Sequence, residues 1–147
     1  MATPTNDPDC PFCVIIAGED PEARVIFRTD SVVAFFPTEP ATLGHTLLVP
    51  RRHIPDIWAL DATAGAQLAA AAVGLAGAIR RSIEPDGLNL IQSNGEAATQ
   101  TVMHLHIHLV PRWENDAIGR IWPKETNYSE GAKDRAWDRL RRECESI

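Results

Sequence analysis

The spacing of apolar positions changes several times along the 147-residue chain, and each change marks an element. "RVIFR" (24–28) and "SVVAFF" (31–36) are short β-branched and aromatic runs separated by Thr29 and Asp30, which reads as a hairpin. "HTLLVP" (45–50) is a third strand, and the "PTEPATLG" before it, with two prolines and a glycine, is a loop. Over residues 61–82 the period lengthens. Leu68, Ala72, Leu75, Ile79 and Ile83 recur at three- and four-residue spacing behind Asp61 as a cap, which predicts one long helix with a core-facing stripe. "EPDG" (84–87) ends that helix, and "LNLIQS" (88–93) alternates like a half-buried strand. A polar tail follows Pro111, with a second amphipathic helix expected over 129–144 and Ala132, Ala136, Leu140 and Cys144 on one side. Along the chain the pattern thus falls into strands, one long helix, more strands and a polar tail.

Composition narrows the partners. With 44% hydrophobic residues the chain can form one core, so residues 1–147 are expected to form a single domain. A net charge of −6 argues against a general nucleic-acid binder, which needs a basic face. The apolar stretch 62–79 approaches membrane-spanning length, but it is mostly Ala and Gly and is broken by Gln67, so no membrane partner is expected. "MATPTNDPDCPFC" has no basic segment followed by an apolar one, which makes a cytoplasmic location the default expectation. Three cysteines do not make a disulfide framework.

The candidate chemistry lies in "HLHIH" (104–108), which holds three of the five histidines. In a strand, His104, His106 and His108 would share an outer face about 7 Å apart, while Leu105, Ile107 and Leu109 face the core. Such a row is a solvated face, a metal site or a phosphate-handling site. Imidazoles at i and i+2 can share an ion; alternatively, one can attack phosphorus while its neighbours donate hydrogen bonds to phosphate oxygens. "CPFC" (10–13) raises a second question. A redox CxxC belongs after a buried strand, and only nine residues precede this one, so redox catalysis is not expected. Two thiolates need two more ligands to close a tetrahedral zinc site.

"NGEAATQTVMHLHIHLVPR" (94–112) resembles the signature of the histidine triad (HIT) family of nucleotide hydrolases and transferases. "DCPFCVI" (9–15), "VVAFF" (32–36) and "GHTLLVPRRHI" (44–54) look like further segments of its zinc-containing, HINT-like branch. The resemblance runs over about 9–112, leaving 113–147 as a C-terminal extension. It implies an α+β, HIT-like fold with a five-stranded antiparallel sheet and one long helix, and usually a homodimer. It makes His106 the nucleophile toward the α-phosphate of a nucleotide, through a nucleotidyl-histidine intermediate with inversion at each step, and gives His108 the phosphate or leaving group. Gln100 and Asn94 match positions near the phosphate or ribose; Phe12, Ile15, Phe35 and Phe36 match the wall of the base pocket. Cys10, Cys13, His53 and His104 match the ligands of a structural zinc, and His45 a histidine that steadies the catalytic one.

Two departures stand out. Pro37, followed by Thr38 and Glu39, replaces the usual ribose-binding aspartate, and Thr99 stands where glycine is common before Gln100. Trp113 and Trp122 lie beyond the triad, where the resemblance implies a segment shaping the leaving-group side. The function implied is a hydrolase or transferase that cleaves a nucleoside 5′-monophosphate from an amine or a phosphate, of the phosphoramidase or dinucleoside polyphosphate hydrolase type. Its small-molecule nucleotide would be the only partner besides a second copy. The alternative is a zinc-stabilised nucleotide-binding or interaction module with little turnover, which would not need His106. A catalytic metal on the histidine row is a third reading.

Overall fold

The computed structural model describes residues 6–147. Its sheet begins with the hairpin of β1 (Val25–Arg28) and β2 (Val32–Phe35). The Thr29 hydroxyl closes the turn by accepting from the N–H groups of Ser31 and Val32 at 3.2 and 3.0 Å, as a short hydroxyl side chain can. β3 (Thr46–Pro50) pairs with β2, β5 (Ile107–Arg112) with β3, and β4 (Gly87–Gln92) with β5. The five strands are antiparallel in the order β1-β2-β3-β5-β4, the α+β architecture that the family resemblance implies.

Both faces of the centre of the sheet are covered, which is why all four residues of β2 are buried. α2 (Ala62–Ile83) lays Leu68, Ala72, Leu75 and Ile79 against Val32, Ala34, Leu48, Leu105 and Leu109. Truncating Leu68, 2% exposed, to Ala should cost about 2–5 kcal/mol, because the transfer loss and the cavity add. Length and composition would let α2 cross a membrane; here its apolar stripe is part of the core. The Asp61 carboxylate caps the helix by accepting from the Ala64 N–H at 2.8 Å and also pairs with Arg52. On the opposite face α1 (Pro11–Ile16) packs Phe12, Cys13 and Ile16 on Val33, Phe35, Leu47 and Val49. The sheet thus separates a plain hydrocarbon core from a face that carries the chemistry.

The loop between β2 and β3 reaches the sheet through Gly44, whose φ of +88° is left-handed. A Cβ there would come within 3.1 Å of Ile83 and 3.3 Å of Pro111, so only glycine fits both the backbone and the space.

One expectation needs correction. β5 begins at Ile107, so His104 and His106 precede the strand, and no solvated row forms. His104 is 0% and His106 6% exposed. Their backbone is used elsewhere: the Leu105 N–H donates to Ile54 O at 2.6 Å, and His104 O accepts from the His106 side chain. Leu105 and Leu109 do face α2, as the alternation requires.

The chain forms two compact units, one running to Ala117 and one over Ile118–Ile147. The second contains α3 (Glu130–Cys144), capped by the Ser129 hydroxyl, which accepts from Ala132 N–H at 3.1 Å. The expected apolar side is not buried; Leu140 is 67% exposed. Ion pairs of Lys133 with Glu130, and of Arg141 and Arg142 with Asp138, support this helix by about 0.2–0.5 kcal/mol each.

Candidate active site and metal centre

Cys10 and Cys13 stand at the cap and in the first turn of α1. Arg28 of β1 pins the other end of that helix, donating to the carbonyls of Ile16 and Ile15 at 2.8 and 3.1 Å. The two sulfurs meet His53, from the segment after β3, and His104, and the four donor atoms lie within 4.8 Å of one another. Cys10 Sγ is 3.6 Å from His104 Nδ1, and Cys13 Sγ is 3.5 Å from His104 Nδ1 and 3.3 Å from His53 Nδ1. Zinc bonds of about 2.3 Å to sulfur and about 2.05 Å to nitrogen, at a tetrahedral angle, put S and N about 3.6 Å apart. The donor set and its spacing therefore fit a zinc-sized ion.

Protonation favours the same use. His104 Nε2 donates to Pro50 O at 2.9 Å; since a carbonyl only accepts, the neutral ring carries its proton on Nε2 and turns the Nδ1 lone pair to the cysteines. Burial lowers the His104 pKa to about 4, with a smaller raising effect from that carbonyl and lowering by His53 and His106. Burial raises the Cys13 thiol, an effect that a bound dication would reverse.

Backbone groups also set the two histidines next in sequence. His106 Nδ1 lies 2.8 Å from His104 O, so Nδ1 holds the proton and Nε2 the lone pair. Burial lowers its pKa, against a weaker raising effect of that carbonyl, which favours the neutral ring. His108 is set the opposite way. The Ala41 N–H donates to His45 Nδ1 at 3.0 Å, and His45 Nε2 lies 2.9 Å from His108 Nδ1. Ala41 can only donate, so neutral His45 is protonated on Nε2, His108 Nδ1 accepts, and His108 presents Nε2–H. The His106 and His108 rings are 4.8 Å apart: one offers a lone pair, the other a donor.

Phe12 stands edge-on to His106 at 5.1 Å and to Phe35 at 5.2 Å, which makes an apolar wall beside the His106 ring. A cleft of about 510 Å³ is lined by Ile15, Phe36, Pro37 and Thr38, with the charged side chains Asp20, Glu22 and Arg24. Asn94 and Gln100 lie in the loop before the triad. Asn94 Oδ1 accepts from Ile57 N–H at 2.7 Å and from Gln92 Nε2 at 2.9 Å. Buried Gln100 accepts from Gly95 N–H at 2.8 Å and donates to Pro55 O and Val102 O at 2.8 and 3.0 Å. Thr99, beside it, has a φ of +68°, a left-handed conformation costly for a β-branched residue. Trp113 donates its N–H to Asp116 at 3.0 Å, and Trp122, in the second unit, is 82% exposed.

The structure brings together the four metal-ligating candidates, and separately His45, His106 and His108 with Phe12 and Phe35. The groups that sequence reasoning missed are Pro50 O, His104 O and Ala41 N–H, main-chain atoms with no residue-type signal. Arg28 was a side chain but carried no motif.

A buried histidine cluster on one face of an antiparallel sheet, beside a thiol and imidazole cage, defines an α+β domain with a histidine-based site. The HIT domain family model matches residues 18–115, and the chain belongs to that family. It is 40% identical over 115 residues to protein hit of Bacillus subtilis, covering 78% of this chain and 79% of that one. It is 33% identical over 118 residues to the adenylylsulfatase HINT3 of Arabidopsis thaliana, covering 80% of this chain and 58% of that protein. A Zn-bound histidine triad family protein from Mycobacterium smegmatis superposes with a TM-score of 0.70 at 31% identity, covering 90% of this chain and 96% of the other.

Proposed function

We propose that this protein is a nucleotide hydrolase or transferase that cleaves a nucleoside 5′-monophosphate from an amine or phosphate leaving group through a nucleotidyl-His106 intermediate. The observation that carries the reading is the opposed hydrogen bonding of two adjacent rings. His106 presents an Nε2 lone pair because His104 O holds its Nδ1 proton, and His108 presents Nε2–H because the Ala41 and His45 relay fills its Nδ1.

The His106 Nε2 lone pair forms a bond to the α-phosphorus as the bond to the leaving group breaks and that group departs with the electron pair. An N-protonated phosphoramidate releases a neutral amine. The ring then carries positive charge, and its Nδ1–H bond to His104 O strengthens as that charge develops. His108 Nε2–H holds a phosphate oxygen or the leaving atom. In the second step water attacks phosphorus, its proton passes to solvent, and His106 recovers its lone pair. Phe12 and Phe35 form the wall on the nucleoside side, and Asn94 keeps one N–H for the phosphate or ribose.

Cys10, Cys13, His53 and His104 would hold zinc. Four protein ligands leave no open position, so the ion serves as a cross-link. Two relatives support these readings, one an adenylylsulfatase and one a Zn-bound histidine triad family protein. The partner is a small nucleotide, in a cytoplasmic homodimer; one of the two edges of the sheet is β4, where Leu90 is 51% exposed.

The test is release of AMP from adenosine 5′-phosphoramidate by wild type and by His106→Ala. Release by wild type and none by the variant is expected. Binding without release by wild type would move the protein to the alternative, a binding module.

A further inference from the structure

We propose that Gln100 is a positioning residue: with Asn94 it clasps the segment after β3 onto the loop entering the triad, and so seats His53 in the metal site. The metal reading above underlies this, but the hydrolase reading does not. Residues 51–56 belong to no helix or strand, so bonds from elsewhere must fix His53. Four connect residues 50–57 to 94–105: Pro50 O to His104 Nε2 at 2.9 Å, Ile54 O to Leu105 N at 2.6 Å, Pro55 O to Gln100 Nε2 at 2.8 Å, and Ile57 N to Asn94 Oδ1 at 2.7 Å. His104 is itself one of the four metal-site residues and Leu105 follows it, so the side-chain amides of Gln100 and Asn94 supply the two ties outside the triad.

The Gln100 carboxamide has no spare donor. Gly95 N–H can only donate, which assigns Oε1 to it, and both Nε2 hydrogens then point at Pro55 O and Val102 O. The side chain is 3% exposed. A phosphate could take Nε2 only by leaving one of those carbonyls without its donor. Side chains that hold a metal ligand in place from behind typically govern affinity by 10- to 100-fold.

The test is zinc affinity by chelator competition, together with AMP affinity by calorimetry, on wild type, Gln100→Met, Asn94→Ala, and each change in a His53→Ala background. A clasp acting through His53 lowers zinc affinity about 10- to 100-fold in both single variants. It leaves AMP affinity of Gln100→Met unchanged, and neither change has a further effect on zinc once His53 is gone. Weakened AMP binding with unchanged zinc affinity would overturn the clasp in favour of a phosphate contact. An equal loss in the His53→Ala background would also overturn it, by showing general loosening. If Gln100→Met fails to fold, Asn94→Ala carries the zinc comparison, with and without His53; its AMP affinity is no part of the comparison, because Asn94 is also assigned to the nucleotide. A wild type that binds no zinc would overturn the metal reading first and this inference with it, whereas failed hydrolysis would leave both standing.

Discussion

His45 Nε2 lies 2.9 Å from His108 Nδ1, and the Ala41 N–H on the far side of His45 decides which nitrogen holds the proton between them. Replacing His45 by Phe should leave His108 free to take either neutral form. The expected result is a drop in kcat of about tenfold, the equivalent of one hydrogen bond near 1.4 kcal/mol, with AMP affinity little changed. Nitrogen NMR should show His108 protonated on Nε2 in wild type and mixed in the variant. A wild-type His108 protonated on Nδ1 would break the relay.

The pH dependence of stability follows from the same pair. Burial, then His106 and His45, lowers the His108 pKa to about 4 from an unfolded value of 6.5. Between those values the unfolded chain binds more protons, so the contribution of His108 is complete above pH 6.5 and is lost as pH falls toward 4. Lowered His45 acts in the same direction. Urea midpoints should fall from pH 7.5 to 5, and His108→Asn should reduce that fall. An unchanged slope in the variant would contradict the assignment.

Much of this arrangement was legible in the sequence, and the exceptions have a common physical cause. The hairpin, β3 and α2 were found within a residue or so because each has a period that one buried face enforces: Leu68, Ala72, Leu75 and Ile79 read as helix because they are core. The histidine run misled because alternation reports side-chain polarity and cannot report that a polar side chain is buried with partners. His104 turns inward to Cys10 and Cys13, and its own carbonyl serves His106 instead of a strand ladder. The family resemblance named Cys10, Cys13, His53 and His104 together, and the fold places their donor atoms within 4.8 Å of one another. The tautomers could not be read, since they depend on main-chain groups brought close only by folding.

Metal removal should separate a structural ion from a catalytic one. Cys13 touches both His53 and His104, so Cys13→Ala should abolish zinc retention, and a chelator should lower the Tm of wild type by about 10 °C or more if the site contributes several kcal/mol. His106→Asn should keep one zinc per chain by elemental analysis. Loss of zinc in that variant would favour a metal on the histidine row.

Thr99 holds φ +68° at the end of the short turn over Glu96–Ala98. A left-handed conformation costs a non-glycine residue about 1–2 kcal/mol, partly offset in a glycine variant by the greater freedom of its unfolded chain. Thr99→Gly should therefore raise stability by about 0.5–1 kcal/mol in urea titrations. A loss would mean that the Thr99 hydroxyl bond to Ala98 O at 2.6 Å outweighs the backbone strain.

The most direct measurement of the central claim is the intact mass of the protein quenched in denaturant milliseconds after mixing with adenosine 5′-phosphoramidate, followed by peptide mapping. The expected result is a transient adenylyl adduct on His106 in wild type and none in His106→Asn. Turnover without an adduct that survives in His106→Asn, or an adduct mapped to His108, would contradict the assignment of His106 as the nucleophile.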